Sequence, residues 1–126
     1  MRALLFPVST PNSTTVWLRT YTNINVKDFD GLWAEDYDIS NWFSTGSIVK
    51  HVRLHAIPGV NFPLRNHYTV CYTLSRKNPG NECMRELGVQ NIRGNVLVLR
   101  HAAKATLQVT HINACEKPLI ELAVKQ

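Results

Sequence analysis

In two segments near the middle of the chain, 47–57 and 66–74, apolar and more polar side chains alternate with the two-residue period of a β-strand. In the first segment the apolar set is Ile48, Val52, Leu54 and Ala56, and the polar set is His51, Arg53 and His55. In the second segment the two sets are Tyr68, Val70, Tyr72 and Leu74 against His67, Thr69, Cys71 and Thr73. The patterns predict a β-hairpin across a loop at 58–65, with one face of each strand covered.

Further strands are predicted where β-branched and aromatic residues cluster, or where a short apolar run is bounded by turn residues. These segments are 2–8, 14–22, 94–101 and 105–112. Together with the hairpin they make five or six strands, with no regular alternation of strand and helix along the chain. This pattern favours a mostly antiparallel sheet over a parallel one.

Helices are predicted from capping residues. Asp38 stands before a short helix that would end at Gly46, and Asn81 stands before one that would end at Gly88. The tail 118–124 fits a helix with Pro118 in its first turn, and it also fits a strand because its apolar residues alternate.

The chain has 126 residues, which suits one domain spanning 1–126. Its predicted fold class is α+β, with two or three short helices on the mostly antiparallel sheet. The predicted core consists of one apolar row from each main strand, namely Ile48, Val52, Leu54, Val70, Leu74, Val96, Val98 and Leu107.

Charge is distributed unevenly along the chain. The whole sequence has a net charge of +5, but residues 1–46 carry −2 and residues 47–126 carry +7. Such asymmetry can indicate a surface for polyanions, and it also fits two solvated faces of opposite sign. No apolar run approaches eighteen residues, so no membrane partner is expected.

The chain has three cysteines, an odd number, and they are not clustered, whereas small secreted scaffolds usually contain an even number of cysteines. Since no signal peptide is recognisable, we expect three free thiols and a cytoplasmic or nuclear location.

Several short motifs follow one another in a particular order. They are Trp42-Phe43, Gly46, Ile57-Pro58-Gly59, His67-Tyr68-Thr69-Val70, Ser75-Arg76 and Gly94-Asn95-Val96-Leu97-Val98. In this order the chain resembles small uncharacterised proteins of mushroom-forming fungi over about residues 40–101. The resemblance implies an intracellular setting and a fungal origin, and it attaches no function to any residue.

The polar face of the predicted hairpin is the one constellation that suggests chemistry. A register that pairs 53 with 69 places His51 opposite Cys71 and His55 opposite His67, with Cβ atoms about 4.5–5.5 Å apart. Cys71 is then a candidate nucleophile with His51 as its base, and Arg53 would lower the thiol pKa. The candidate zinc ligands are His51, His55, His67 and Cys71. The alternative is an ordinary solvated face.

Nucleic-acid binding is a second possibility. The candidate cations are Lys50, Arg53, Arg65, Arg76, Lys77, Arg93, Arg100 and Lys104. Interleaved tyrosines can stack on bases, but Tyr68 and Tyr72 share a face with Val70 and Leu74 and are therefore predicted to lie in the core.

No phosphate-binding glycine loop and no nucleophile elbow occurs in the chain, so no cofactor is expected. The sequence favours a non-enzymatic binding module with a protein partner. The binding candidates are His55, His67, Arg53, Arg76, Lys77 and Arg100. The alternatives are a basic domain that binds nucleic acid, and a small Cys/His enzyme or zinc site on the hairpin. The oligomeric state is not indicated.

Overall fold

A computed structural model describes residues 1–20, 32–33, 37–43, 48–57, 62–75, 77–102 and 108–125. The strands are β1 (Arg2–Phe6), β2 (Thr14–Trp17), β3 (Arg19–Thr20), β4 (Leu32–Trp33), β5 (Tyr37–Asp38), β6 (Val49–Ile57), β7 (Phe62–Thr73), β8 (Val96–His101) and β9 (Gln108–Thr110). The helices are α1 (Glu82–Glu86) and α2 (Lys117–Lys125), with 3₁₀ turns at Ser40–Trp42 and Ala114–Glu116.

The main sheet has the strand order β2-β1-β8-β7-β6. Strand β9 pairs with the end of β8, and β4 pairs with β9. A separate pair is formed by β3 and β5. Every strand pairing is antiparallel. The α+β class and the mostly antiparallel sheet are therefore confirmed.

The two central strands of the sheet, β1 and β8, are nearly continuous apolar runs. Residues 3–6 and 96–99 are all buried. The reason is that both faces of the sheet are covered at its centre, so that side chains pointing either way must be apolar.

One face of the sheet packs against the two helices, and we call it the helical face. Leu4, Val98 and Tyr68 lie there in one cluster with Ile120 and Ala123 of α2. On the opposite face, Leu5, Leu97 and Cys71 form a second cluster, against which Tyr37, Ile39, Trp42 and Phe43 are packed. Residues 37–43 thus cover the side of the sheet that the helices leave open.

Helix α1 begins and ends at the predicted residues. Asn81 is the N-cap, and its side-chain oxygen accepts a 2.8 Å hydrogen bond from the Met84 amide. The Asn81 side-chain NH₂ also donates to the carbonyls of Phe6 and Gly94, each at 2.8 Å. Gly88 follows the helix with φ 90°, a conformation that favours glycine.

Other local predictions are corrected by the structure. The tail is a helix, α2, which starts one residue before Pro118. The predicted loop at 58–65 is too long, since β6 reaches Ile57 and β7 starts at Phe62. The N-cap residue of the 3₁₀ turn is Ile39, not Asp38 as predicted. The Asp38 carboxylate nevertheless accepts hydrogen bonds from the backbone amide and the hydroxyl of Ser40.

The predicted core is only partly right. Leu54, Val96 and Val98 are buried, and Val70 packs at the edge of the helical-face cluster. Three predicted core residues are exposed: Ile48 by 75%, Val52 by 47% and Leu74 by 68%. Leu107 and Gly46 lie outside the described residues.

The physical reason for this error is the position of β6. This strand lies at the end of the sheet order. Helix α2 has nine residues and is therefore about 14 Å long, since each helical residue rises 1.5 Å, so it covers only part of the strand. The helix packs with Leu54, whereas the end of the hairpin near Ile48 and Leu74 extends beyond this cover. No helix in the described part of the chain has the length and apolar character needed to cross a membrane.

Candidate functional site

The predicted register of the hairpin is confirmed for its central part. His51 pairs with Cys71 and Arg53 pairs with Thr69 across β6 and β7. His51 Nδ1 lies 3.4 Å from Cys71 Sγ. The predicted juxtaposition of imidazole and thiol therefore exists, and it sits on the face opposite the helices, where Cys71 joins the second cluster.

The predicted direct pairing of His55 with His67 is wrong. The ladder is irregular between Leu54 and Ala56, because Leu54 pairs with Tyr68 whereas Ala56 pairs with Pro63. One residue of β6, His55, consequently stands opposite four residues of β7, 64–67, which is a larger irregularity than an ordinary bulge of two residues against one. The two imidazole rings nevertheless meet edge to face, with centroids 5.8 Å apart.

Arg53 and His67 are joined on this same face. Arg53 Nη2 lies 3.0 Å from His67 Nδ1. Because a guanidinium has only donors, Nδ1 of His67 is the acceptor in this bond. The contact holds the guanidinium beside the imidazole on an exposed part of the sheet.

A fourth histidine, which the sequence analysis missed, belongs to this face. His101 ends β8 and is buried, and its Nε2 lies 2.7 Å from Thr69 Oγ1. The pairing of Thr69 with Leu99 puts His101 on the side of the sheet that carries His67. The contact between His101 and Thr69 exists because β7 and β8 are adjacent in the sheet. Nothing in the local sequence predicts that adjacency.

The predicted activation of Cys71 is wrong in its electrostatics. Burial raises the pKa of the Cys71 thiol from 9.0 to about 12, whereas a nucleophile or metal ligand needs the thiolate. The thiol therefore keeps its proton near neutral pH and acts as a small buried group under His51. Cys71, Cys83 and Cys115 are all free thiols in the structure, and only Cys115 is exposed.

The candidate zinc ligands do not converge on one point. Within the residues that the structure describes, no three or more His, Cys, Asp or Glu side chains form a group able to hold a metal ion. His51 contacts Cys71, whereas His55 contacts His67 further along the hairpin. The hairpin thus holds two separate pairs.

The candidate cations for nucleic acid are dispersed. Lys50 and Arg53 are both exposed, but the odd spacing puts them on opposite faces of β6. Lys77 is exposed in the turn before α1, and Arg93 Nη1 donates to the Asn78 carbonyl at 3.2 Å. Arg76, Lys104 and the side chain of Arg65 lie outside the described residues.

Arg100, one of the predicted binding residues, is partly buried and makes contacts within the fold. Its Nη1 forms an ion pair with Glu116 Oε2 at 3.1 Å. The Glu116 carboxylate also accepts bonds from Tyr68 Oη, Asn66 Nδ2 and the Asn113 amide, at 2.7, 3.0 and 2.7 Å. This network ties the start of α2 to the sheet, and it makes Arg100 a structural residue.

The exposed apolar side chains at the outer end of the hairpin form the other notable surface. Val49 pairs with Thr73, and alternation places the next residues, Ile48 and Leu74, on the helical face of the sheet, along with Val52. We call Ile48, Val52 and Leu74 the hairpin patch. A groove of about 450 Å³ adjoins it, lined by Tyr72, Thr73, Leu74, Asn91, Ile92 and Arg93.

Comparisons with known proteins return no match, whether to a family model, to a curated protein or to a solved structure. The resemblance to fungal proteins stays a prediction.

Proposed function

We propose that the protein is a non-enzymatic binding module that docks another protein on the hairpin patch. The observation that carries this proposal is the exposure of three large aliphatic side chains on the hairpin of β6 and β7. Val52 lies on the edge strand β6, Ile48 directly precedes it, and Leu74 directly follows β7. Single exposed apolar residues are ordinary, but several together are typical of an interaction site.

The groove beside the patch adds to this proposal. Its walls combine the ring of Tyr72, the apolar side chain of Ile92 and the guanidinium-bearing Arg93. Aromatic and arginine side chains are enriched where proteins bind one another. A side chain of the partner that enters the groove would also contact Leu74, which lines both surfaces.

Charge indicates which protein surface would fit. Strand β6 carries Lys50, His51, Arg53 and His55, and it has no acidic residue. An acidic partner is complementary to this strand, whereas a basic one would be repelled. We therefore propose an acidic protein surface as the partner.

The proposal is tested by selecting peptides from a random displayed library on the wild-type protein. Selected peptides are then measured against the double variant Ile48→Ser/Leu74→Ser and against the control Trp17→Ser. Trp17 is exposed by 68%, like Leu74, but lies on β2 at the other end of the sheet. Circular dichroism and thermal melting establish that both variants are folded.

We expect binding to the double variant to be at least about tenfold weaker, and binding to Trp17→Ser to be unchanged, because two apolar anchors are lost only in the former. Peptides that bind the double variant as well as the wild type would contradict the proposal. Failure to select any peptide would contradict it as well.

The polyanion alternative has less support. It rests on the net charge of +7 over residues 47–126. Against it, Lys50 and Arg53 lie on opposite faces and Arg100 is paired with Glu116. Binding to DNA or RNA that weakens steeply with salt would favour this alternative over a protein partner.

The compartment that we propose is the cytoplasm or the nucleus. The three free thiols support a reducing environment, since a disulfide framework is the usual feature of small secreted domains.

A further inference from the structure

We infer that the partner places a carboxylate in a cavity between helix α1 and residues 89–93, where Arg85 and Arg93 bind it. This inference rests on the proposed function and specifies which residues of the protein recognise the acidic character of the partner. A bulky apolar side chain of the same partner segment occupies the neighbouring groove beside Leu74. The ligand is thus an Asp or Glu side chain that lies close in sequence to a large apolar residue.

The first observation is that two concave surfaces share one wall. The groove of about 450 Å³ beside Leu74 and a smaller cavity of about 180 Å³ are both lined by Asn91, Ile92 and Arg93. The smaller cavity continues from this wall to Arg85 of α1. A short partner segment that fills the groove with one side chain is therefore able to reach the cavity with another.

The second observation is the chemistry of the smaller cavity. Its charged groups are the guanidiniums of Arg85 and Arg93, and Gln90 and Asn91 add two carboxamides. Every residue that lines it belongs to the described part of the chain, and none of them is acidic. Guanidinium N–H donors form a fork that matches a carboxylate. This set of side chains suits an anion and would repel a cation.

The third observation is that both guanidinium groups are accessible and uncompensated. Arg85 is exposed, and its side chain forms no ion pair with a described residue. Arg93 is also exposed, and its Nη1 donates to the Asn78 carbonyl, which is a neutral acceptor. Glu82 and Glu86 lie near Arg85 on α1, but neither lines the cavity or is within ion-pair distance of that arginine.

The shared wall is held in place before any partner binds. The Asn81 amide donates to the Ile92 carbonyl, and the Gly94 amide donates to the Pro79 carbonyl, both at 2.8 Å. These bonds fasten the segment that carries Arg93 to the segment that precedes α1. A site that is ordered in advance loses less conformational entropy on binding.

The backbone at Asn91 adds a fourth observation. Its φ is 66°, and the other two described residues with positive φ are Gly88 and Gly94. Glycine adopts this conformation most readily, whereas asparagine is tolerated there. Asn91 thus provides a carboxamide to the cavity at a position where the backbone by itself favours glycine.

Strand β6 also carries positive charge, but it does not form a comparable site. Lys50 and Arg53 lie on opposite faces of the strand, so they contribute a general positive field around the hairpin. Arg85 and Arg93 line one cavity. A field attracts acidic residues anywhere in the partner, whereas a cavity selects one position.

The test is a displayed peptide library in which one fixed Leu lies between random positions on either side. The library is selected in parallel on the wild type, on Arg85→Glu and on Arg19→Glu. Arg19 is an exposed arginine of β3, and its substitution changes the net charge by the same amount, which makes it the matched control. Circular dichroism and thermal melting establish that the variants are folded.

We expect the wild type and Arg19→Glu to select Asp or Glu at a particular distance from the fixed Leu. Arg85→Glu should lose this preference and select Lys or Arg at that position instead. Acidic residues spread evenly over all random positions would show that the general charge of the protein attracts them. That result would overturn the inference, as would equal effects of the two substitutions.

Direct binding is tested with one selected peptide, made with Glu or with Gln at the preferred position. By fluorescence anisotropy, the Gln peptide should bind the wild type at least about tenfold more weakly than the Glu peptide. On Arg85→Glu the Gln peptide should bind at least as tightly as the Glu peptide, because the interaction between the two sites is already lost. An equal preference for Glu on both proteins would contradict binding by Arg85.

Two further variants test the shared wall. Arg93→Gln removes the second guanidinium, and Asn91→Gly removes the carboxamide at a backbone conformation that glycine adopts readily. We expect each to weaken binding of the Glu peptide at least about threefold, since each removes a hydrogen-bond donor. Full binding by both variants would overturn the inference.

The selection separates this inference from the proposed function. If selected peptides depend on Ile48 and Leu74 but show no preferred acidic position, the cavity is wrong and the hairpin patch stands. If they show that position but bind Ile48→Ser/Leu74→Ser as well as the wild type, the patch is wrong and the cavity stands. If the free protein sediments as a dimer that Arg85→Glu separates, a second copy fills the cavity and the inference is overturned.

Discussion

Tyr68 donates a 2.7 Å hydrogen bond from its phenol to Oε1 of Glu116, a residue 48 positions further along the chain. Tyr68 belongs to β7, and Glu116 ends the 3₁₀ turn that leads into α2. The same carboxylate closes a capping box with Asn113 and pairs with Arg100. Glu116 therefore both caps the helical tail and attaches it to the sheet.

We predict that Glu116→Ala lowers the free energy of unfolding by about 2–4 kcal/mol. The substitution leaves Arg100 and the buried Tyr68 phenol without their charged acceptor, which costs more than a surface contact. Urea denaturation followed by circular dichroism measures the change. Glu86→Ala, at an exposed position of α1, is the control and should change stability by less than about 0.5 kcal/mol. Equal effects of the two substitutions would show that the network is not structural.

We predict that Asn81→Ala destabilises the protein by about 2–3 kcal/mol, because it removes a helix cap and two hydrogen bonds to buried carbonyls. Asn81→Asp should not restore stability. A carboxylate keeps the bond from the Met84 amide, but it cannot donate to the carbonyls of Phe6 and Gly94. Chemical denaturation of both variants tests this, with the exposed Asn12→Ala as control. Full stability of the Asp variant would reduce the role of Asn81 to capping.

We predict opposite outcomes for two aliphatic residues of the hairpin. Leu54 is 9% exposed and packs in the helical-face cluster, so Leu54→Ala should cost about 2–5 kcal/mol. Ile48 is 75% exposed, so Ile48→Ala should change stability by less than about 0.5 kcal/mol. Denaturation midpoints measured side by side distinguish the two residues. Similar losses would mean that the hairpin patch is covered in solution.

We predict that the protein loses stability as pH rises from about 9 towards 12, in part through Cys71. Burial raises the pKa of this thiol to about 12 in the native state, from 9.0 when it is exposed. Above pH 9 the unfolded chain therefore releases a proton that the native state retains, and unfolding becomes easier by up to about 1.4 kcal/mol per pH unit.

The measurement is the free energy of unfolding against pH, under reducing conditions, for the wild type and for Cys71→Val. The valine variant should have a flatter alkaline limb. Burial and the Glu116 carboxylate also raise the pKa of Tyr68, so Tyr68→Phe is included to separate the two contributions. An unchanged alkaline limb in Cys71→Val would contradict the assignment to the thiol.

Much of the local structure follows from the sequence alone. The alternation in β6 and β7 is a property of each extended segment, and it predicts the pairs His51–Cys71 and Arg53–Thr69 that the structure contains. The cap at Asn81 and the stop at Gly88 are likewise local, since each depends on backbone conformation within one turn.

What only the tertiary structure decides is the cover that each strand receives. Alternation divides β6 into two faces, but it does not reveal that β6 is an edge strand whose end at Ile48 extends past α2. Strand order also decides which residues contact Glu116 and brings His101 beside Thr69. The burial that raises the pKa of Cys71 depends on strand order as well. The physical reason is that side-chain direction is set by the local backbone, whereas burial is set by residues distant in sequence.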